Sequence, residues 1–303
     1  MNKIPASMPP PPGPEPARKL TVTAANPRIG VFDSGLGGLT VLRELRRILP
    51  AADYHYVGDT ARVPYGAKSE ATIRRYGLEI AAYLAARPLD ALVVACNTVS
   101  AVAIGPLQKA YPVPVIGMVE PGAAAAFAVP RKSPARIGVI CTPATKRSGA
   151  YERALHRLDP AAKVWVIACP LFVPLAEEGW TSGPVVQAVI DRYLAPLKKA
   201  KIDTLLLGCT HYPLLEAALR QYFGAKVALV SSGEAAARQL AAVLPGAGTV
   251  AHRKSALGRV KMDLTDPPAD TTRALIERFL GEVAPEPGTL DLERFERLSK
   301  RRS

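Results

Sequence analysis

The 303-residue sequence has no C-x-x-C pair, no H-x-x-x-H spacing and no long uncharged apolar run, and each absence closes off a class of function. Its four cysteines stand at positions 96, 141, 169 and 209, separated by 45, 28 and 40 residues, a pattern that supplies no zinc ligand pair. The histidines His55, His156, His211 and His252 are scattered, so no metal site is indicated. Apolar stretches are interrupted by charge or proline well before the roughly 18 residues that a membrane helix requires. The first 27 residues carry seven prolines within twenty positions and lack an apolar core, so they read as a disordered extension, neither a signal peptide nor a folded element. Without a secretion signal the four thiols argue against a disulfide framework, and the expected location is the cytoplasm. A dinucleotide fingerprint is missing too: counting G-x-G-x-x-G from Gly35 gives Gly37 and then Thr40. Those glycines fit better as a loop whose amides approach an anion near a helix start.

One excess has to be weighed. The formal charge of +13 invites a nucleic-acid reading. The basic residues, however, are spread over helical patterns such as "LRELRRIL", and the single dense cluster is the terminal "SKRRS". A solvated surface accounts for that distribution, and a basic field would also favour an anionic substrate.

With 49% hydrophobic and 21% charged residues, the remainder is ordinary globular composition, long enough for two domains. Eight runs, "RIGVF", "YHYVG", "ALVVA", "PVIGM", "RIGVI", "VWVIA", "TLLLG" and "VALV", suit strands buried on both faces, and they alternate with helical patterns. In "GGLTVLRELRRILP", Val41, Leu42, Leu45, Ile48 and Leu49 share one face and Pro50 stops the helix. The fold class is therefore α/β with parallel sheets. "RIGVFDSG" begins at Arg28 and "RIGVICTP" at Arg136, 108 positions on, while Cys96 and Cys209 lie 113 apart. Two landmarks in near-constant register predict a duplicated unit, although "RIGV" alone is a common way to open a strand.

"DALVVACNT" and "DTLLLGCTH" share a grammar: an apolar run that ends in a small residue and then a thiol. Ligands of open parallel sheets sit beyond the carboxyl ends of the strands. If the units face each other, Cys96 and Cys209 flank one cleft and can act on opposite sides of one atom. A thiol is a base only as the thiolate, so each needs a proton partner. Cys209 has His211 two residues on, with Pro213 placed to open the next helix, and Cys96 has Asp33 at the end of another predicted strand of its unit. Cys141 and Cys169 also end apolar runs, lack such polar neighbours, and read as inert core thiols.

Taken together, the blocks "IGVFDSGLGGLTVL", "YVGDTARVPYGAKS", "ACNT", "VIGMVEPG", "CPLFVPLAEEG" and "GCTHYPLL" resemble the cofactor-independent glutamate racemases of the aspartate/glutamate racemase superfamily, from about residue 28 to about residue 282. The resemblance implies two α/β domains related by a pseudo-twofold axis with the active site between them. It implies residues 28–121 plus 228–284 as the first domain, 122–227 as the second, 1–27 as the extension and 285–303 as a charged tail. It implies two-base racemisation of glutamate without cofactor or metal, supplying D-glutamate for peptidoglycan, with Cys96 and Cys209 as acid/base groups. Asp33 would assist the first thiol; His211 and Glu177 would serve the second. Asp33, Ser34, Tyr65, Gly66, Asn97, Thr98, Thr210 and His211 would hold the substrate, and Asp59 matches an acidic position near the site. Read singly, Glu177 is a solvated helix residue, Tyr65 and Gly66 form a turn, and Asp59 caps a helix. The His after Cys-Thr separates a glutamate enzyme from an aspartate racemase, where Glu tends to stand. A homodimer, and a second role on nucleic acid or DNA gyrase as reported for some members, complete the expectations.

Overall fold

The computed structural model describes residues 26–131, 134–244, 257–283 and 285–300. The expected proline-rich extension lies outside them, apart from positions 26 and 27, as do positions 301–303 of the tail. Every strand pair among the described residues is parallel. In chain order the strands are β1 (Arg28–Asp33), β2 (Asp53–Gly58), β3 (Ala91–Val94), β4 (Val115–Ile116), β5 (Arg136–Cys141), β6 (Lys163–Ala168), β7 (Thr204–Gly208), β8 (Ala228–Ser231), β9 (Val260–Leu264) and β10 (Gly288–Thr289). They form a six-stranded sheet in the order β10-β9-β2-β1-β3-β4 and a four-stranded sheet in the order β6-β5-β7-β8. The inner order 2-1-3-4 of the first sheet reappears as 6-5-7-8 in the second, so the duplication read from the two landmarks is visible in the topology.

All eight apolar runs form strands because helices cover both faces of each sheet. β3 and β7 are buried at every position, as continuous branched aliphatics require in a parallel sheet. Helix Leu39–Ile48 buries Leu39, Val41, Leu42 and Leu45 against the first sheet. Helix Glu70–Ala85 covers the other face and starts at Ser69, whose hydroxyl accepts from the Thr72 amide at 3.3 Å.

The domain boundaries differ from those expected in three places. Helix Val119–Ala128 places Val119, Ala123 and Ala126 in the core of the second sheet. The run at 228–231 pairs with β7 in register Thr204↔Ala228, so it finishes the second sheet. The chain returns to the first unit only with helix Ser232–Val243, whose Ala236, Ala237 and Leu240 pack on the first core. Strand and helix meet there without a loop, at the Ser231 cap, so no linker composition marks the crossing. Finally, residues 285–300 are not a detached tail: β10 adds to the edge of the first sheet, and Leu290, Leu292 and Phe295 pack on its core.

β9, missed in the sequence because Lys261 and Asp263 interrupt its apolar pattern, is held by the acid that hid it. The Asp263 carboxylate accepts from Tyr83 at 2.9 Å and Lys261 at 2.8 Å and contacts His55 Nε2 at 2.6 Å. Burial works against its ionisation, but the hydrogen bonds from His55, Lys261 and Tyr83 outweigh that and hold the carboxyl far below its usual range. A depressed folded-state pKa stabilises above the unfolded value of about 4 and is lost as pH falls toward the folded one. Asp263→Asn is therefore expected to lower the unfolding free energy by about 2 kcal/mol at neutral pH, measured by urea titration, with the deficit narrowing as pH is lowered from 4 to 2. A deficit independent of pH would refute the assignment.

Candidate active site

Both sheets deliver their carboxyl ends to one cleft. Asp33 ends β1, Cys96 follows β3 by two residues, Thr142 follows β5, and Cys209 follows β7 directly. Each of these side chains therefore stands where a short, stiff strand stops, and the thiols of Cys96 and Cys209 are close enough to feel each other's charge.

Cys96 is the cap residue of helix Asn97–Ala110, whose positive end favours an anion there. Its Sγ–H donates to Ser34 Oγ at 3.4 Å. Burial, reinforced by the negative charge of Asp33, pushes the thiol up to about 12; the Ser34 hydroxyl and the Val99 amide pull the other way without prevailing. Asp33 is itself buried, and desolvation raises its pKa despite the opposing charge of His211 and the amides of Gly38, Gly35 and Ser34. One of its oxygens, Oδ2, accepts from Gly35 N at 3.1 Å, whereas Oδ1 has no partner. A carboxyl buried in this way holds its proton more readily than a solvated one does.

The second thiol is surrounded differently. Cys209 Sγ lies 3.8 Å from His211 Nδ1, and His211 Nε2 lies 3.0 Å from Glu177 Oε1. Burial tends to lower the imidazole pKa, but the hydrogen bonds to Cys209 and Glu177 and their charges win and raise it to about 10. Glu177, at the end of helix Phe172–Glu177, keeps a side chain 44% exposed. The first unit holds this relay in place: Arg278 Nη1 donates to Glu177 O at 2.6 Å, and the Phe279 ring meets the His211 ring edge-on with centroids 5.1 Å apart. From the other side, the backbone at Gly37 touches the same residues. A Cβ there would lie 2.4 Å from Thr210 Oγ1 and 2.5 Å from the His211 ring.

Polar side chains complete the wall. Asn97 Oδ1 accepts from Tyr151 at 2.6 Å, while Nδ2 is buried without a partner. The Thr98 hydroxyl contacts those of Thr142 at 3.0 Å and Thr145 at 3.3 Å. Thr210 offers its carbonyl to Thr40 Oγ1 at 2.8 Å. Gly66 lies beside Thr142, and Tyr65 is buried with its hydroxyl on Asp59. Asp59 is fully engaged, by Tyr65, by Arg62 at 2.7 Å and by Thr265 at 2.8 Å, so it fastens the Tyr65–Gly66 loop to the end of β9. The structure thus gathers Asp33, Ser34, Cys96, Asn97, Thr98, Cys209, Thr210 and His211 at facing strand ends, with Glu177 behind His211. Cys141 and Cys169 are buried and free, as are Cys96 and Cys209. Thr142, Thr145, Tyr151, Arg278 and Phe279 were missed. Only Thr142 had a local signal, the Thr-Pro that opens a helix after β5. Among the described residues no group of three or more His, Cys, Asp or Glu is arranged to hold a metal, and no helix is long and apolar enough to cross a membrane.

Comparisons with known proteins agree with this fold. Residues 29–240 match the model of the Asp/Glu/Hydantoin racemase family. The chain is 50% identical over 253 residues to a glutamate racemase of Geobacter metallireducens, covering 84% of this chain and 92% of that one. Its structure is similar to that of a Francisella tularensis glutamate racemase in complex with D-glutamate, with a TM-score of 0.80 and 34% identity, covering 89% and 99% of the two chains. It is also similar to the isoform RacE1 of Bacillus anthracis, with a TM-score of 0.81 and 40% identity over 88% and 98%.

The raised pKa of His211 is directly measurable. Its ring is expected to titrate near pH 10 by NMR, and Glu177→Gln should move the midpoint down by removing an anion from Nε2. Because the folded value is raised, the stabilisation is complete below the unfolded value of about 6.5 and is lost as pH rises through the folded one. A midpoint close to 6.5 would contradict the relay.

Proposed function

The chain belongs to the Asp/Glu/Hydantoin racemase family, and from that premise we propose that Cys96 and Cys209 are the two acid/base groups with which it interconverts L-glutamate and D-glutamate. The activity is that of a glutamate racemase, a cofactor-independent isomerase, and its product D-glutamate serves peptidoglycan synthesis, cell-wall biogenesis and cell shape. The observation that carries the two-thiol reading is the placement of buried thiols after the corresponding strands β3 and β7.

The chemistry follows from that placement. One cysteine, as thiolate, takes the α-proton from one face of the bound amino acid and the electron pair stays on the α-carbon and its carboxylate. The opposite cysteine, as thiol, gives a proton to the other face. Asp33 exchanges protons with the Cys96 side, and the His211 imidazolium, fixed by Glu177, with the Cys209 side. Removing an α-proton without an electron sink is difficult, so the carbanionic charge must be met by preorganised dipoles in a site closed to water. Ser34, Tyr65, Gly66, Asn97, Thr98 and Thr210 supply these and hold the carboxylates and the amino group. The His of "GCTHYPLL" supports glutamate over aspartate as substrate.

Two finer readings accompany this one. A cytoplasmic homodimer is supported by the resemblance and by the exposed apolar side chains of Leu171, Trp180 and Val185, and light scattering with and without glutamate tests it. A role on nucleic acid or gyrase rests on the resemblance, the basic tail and the +13 charge, none of them specific, and is not adopted.

Incubation with L-glutamate in D2O under reducing conditions is expected to give loss of optical rotation with incorporation of α-deuterium; unchanged rotation would sink the activity. Cys96→Ala and Cys209→Ala should each lower kcat/KM by about a thousandfold or more in both directions, with circular dichroism unchanged. Racemisation at the wild-type rate by either variant would rule out the two-thiol scheme.

A further inference from the structure

Asn97 carries a primary amide whose two ends offer opposite chemistry, an acceptor and a two-proton donor. Which end faces the cleft decides whether the residue attracts a carboxylate or repels it. The surroundings of this amide show what settles the choice.

Three elements meet at its inner end. Tyr151 comes from helix Ala150–Leu158 of the second unit, Ser232 begins the helix that returns to the first unit, and Leu207 lies on β7 two residues before Cys209. Asn97, Tyr151 and Ser232 are 2%, 1% and 3% exposed. Tyr151 Oη stands 2.6 Å from Asn97 Oδ1, Ser232 Oγ stands 3.1 Å from it, and Ser232 Oγ also stands 3.0 Å from Leu207 O. Ser232 also meets the Tyr151 hydroxyl, and the Leu207 carbonyl is an atom that can only accept. The Leu207 carbonyl, facing Ser232, takes the serine proton, and the Asn97 oxygen takes the tyrosine proton. The shortest distance confirms the orientation: 2.6 Å falls within the range of O–H···O contacts and below that of N–H···O contacts. Burial also raises the phenol well above its ordinary pKa, so Tyr151 keeps its proton throughout the working range. The other end of the amide, Nδ2, is buried with no partner, the condition expected of a donor awaiting a ligand.

The geometry points to Tyr151 as a positioning residue that locks the Asn97 amide with Nδ2 toward a substrate carboxylate. This rests on the reading of the cleft as the glutamate site. Tyr151 belongs to the second unit and Asn97 opens the helix that follows the first thiol, so the lock forms only when the two units are seated together. Ser232 acts elsewhere. Its hydroxyl secures the Leu207 carbonyl on the strand that leads to the second thiol, and it orients the amide only if the phenol is lost.

The test is a kinetic cycle on the full chain with L- and D-glutamate. Tyr151→Phe keeps the ring in the core and removes only the proton donor. It is expected to raise KM about tenfold in both directions while kcat changes less, because holding a carboxylate is common to ground and transition states. Ser232→Ala should raise KM by less than Tyr151→Phe. In an Asn97→Ala background, Tyr151→Phe should cause no further loss, since the amide through which it acts is gone. Losses that add in the double variant would overturn the lock and assign Tyr151 a packing role, and so would an unchanged KM in Tyr151→Phe. Thermal unfolding of each variant identifies a misfolded protein; if Tyr151→Phe does not fold, a KM rise in Ser232→Ala as large as that in Asn97→Ala overturns the proposal and a smaller one supports it. Failure of the wild type to racemise glutamate would overturn the functional reading and the lock together, whereas an active wild type with an indifferent Tyr151→Phe overturns the lock alone.

Discussion

The site depends on how closely the backbone at Gly37 approaches Thr210 and His211. No side chain fits between them, since even a methyl group would stand 2.4 Å from the threonine hydroxyl. That approach brings the carboxyl ends of two separate sheets into one space. It lets the Thr40 hydroxyl reach across to the Thr210 carbonyl, and it places the charge of His211 within reach of Asp33. A larger residue at 37 would have to displace Thr210 and His211, and with them the partner of the second thiol.

Closing the cleft in this way sets the electrostatics. Burial acts on every titratable group and always against the charged form, so Cys96 and Asp33 are both pushed up. His211 escapes only because Cys209 and Glu177 supply two compensating anionic contacts. The halves of the site are therefore alike in architecture and unlike in proton chemistry. One side sets the Cys96 thiol beside the buried carboxyl of Asp33, the other sets Cys209 against an imidazole whose charged form is favoured. Duplication explains the common strand order, and later divergence of the residues just after each strand explains the difference.

Much of this was legible in the sequence, for a physical reason. Strands buried on both faces need uninterrupted aliphatics, so β1 to β8 announced themselves, and the thiols stood out as polar interruptions at their ends. β9 was illegible because its Asp263 is satisfied by His55, Tyr83 and Lys261, the first two of them far away in the chain. The same holds within the site. Cys96, Cys209 and His211 could be found from local motifs, whereas Tyr151, Ser232 and Arg278 act through contacts to residues 54, 25 and 101 positions away. The boundary at Ser231 was misplaced because strand and helix abut there and composition does not change.

The parallel edge formed by β9 and β10 has a consequence for the order of synthesis. The four strands of the second unit are contiguous between residues 136 and 231, whereas the first sheet is completed only by residues 260–289. As the chain leaves the ribosome, the inserted unit has all its strands first, and the enclosing unit waits with the edge of β2 unpaired. The nascent polypeptide thus meets its greatest exposure to misassociation in the interval before β9 and β10 emerge.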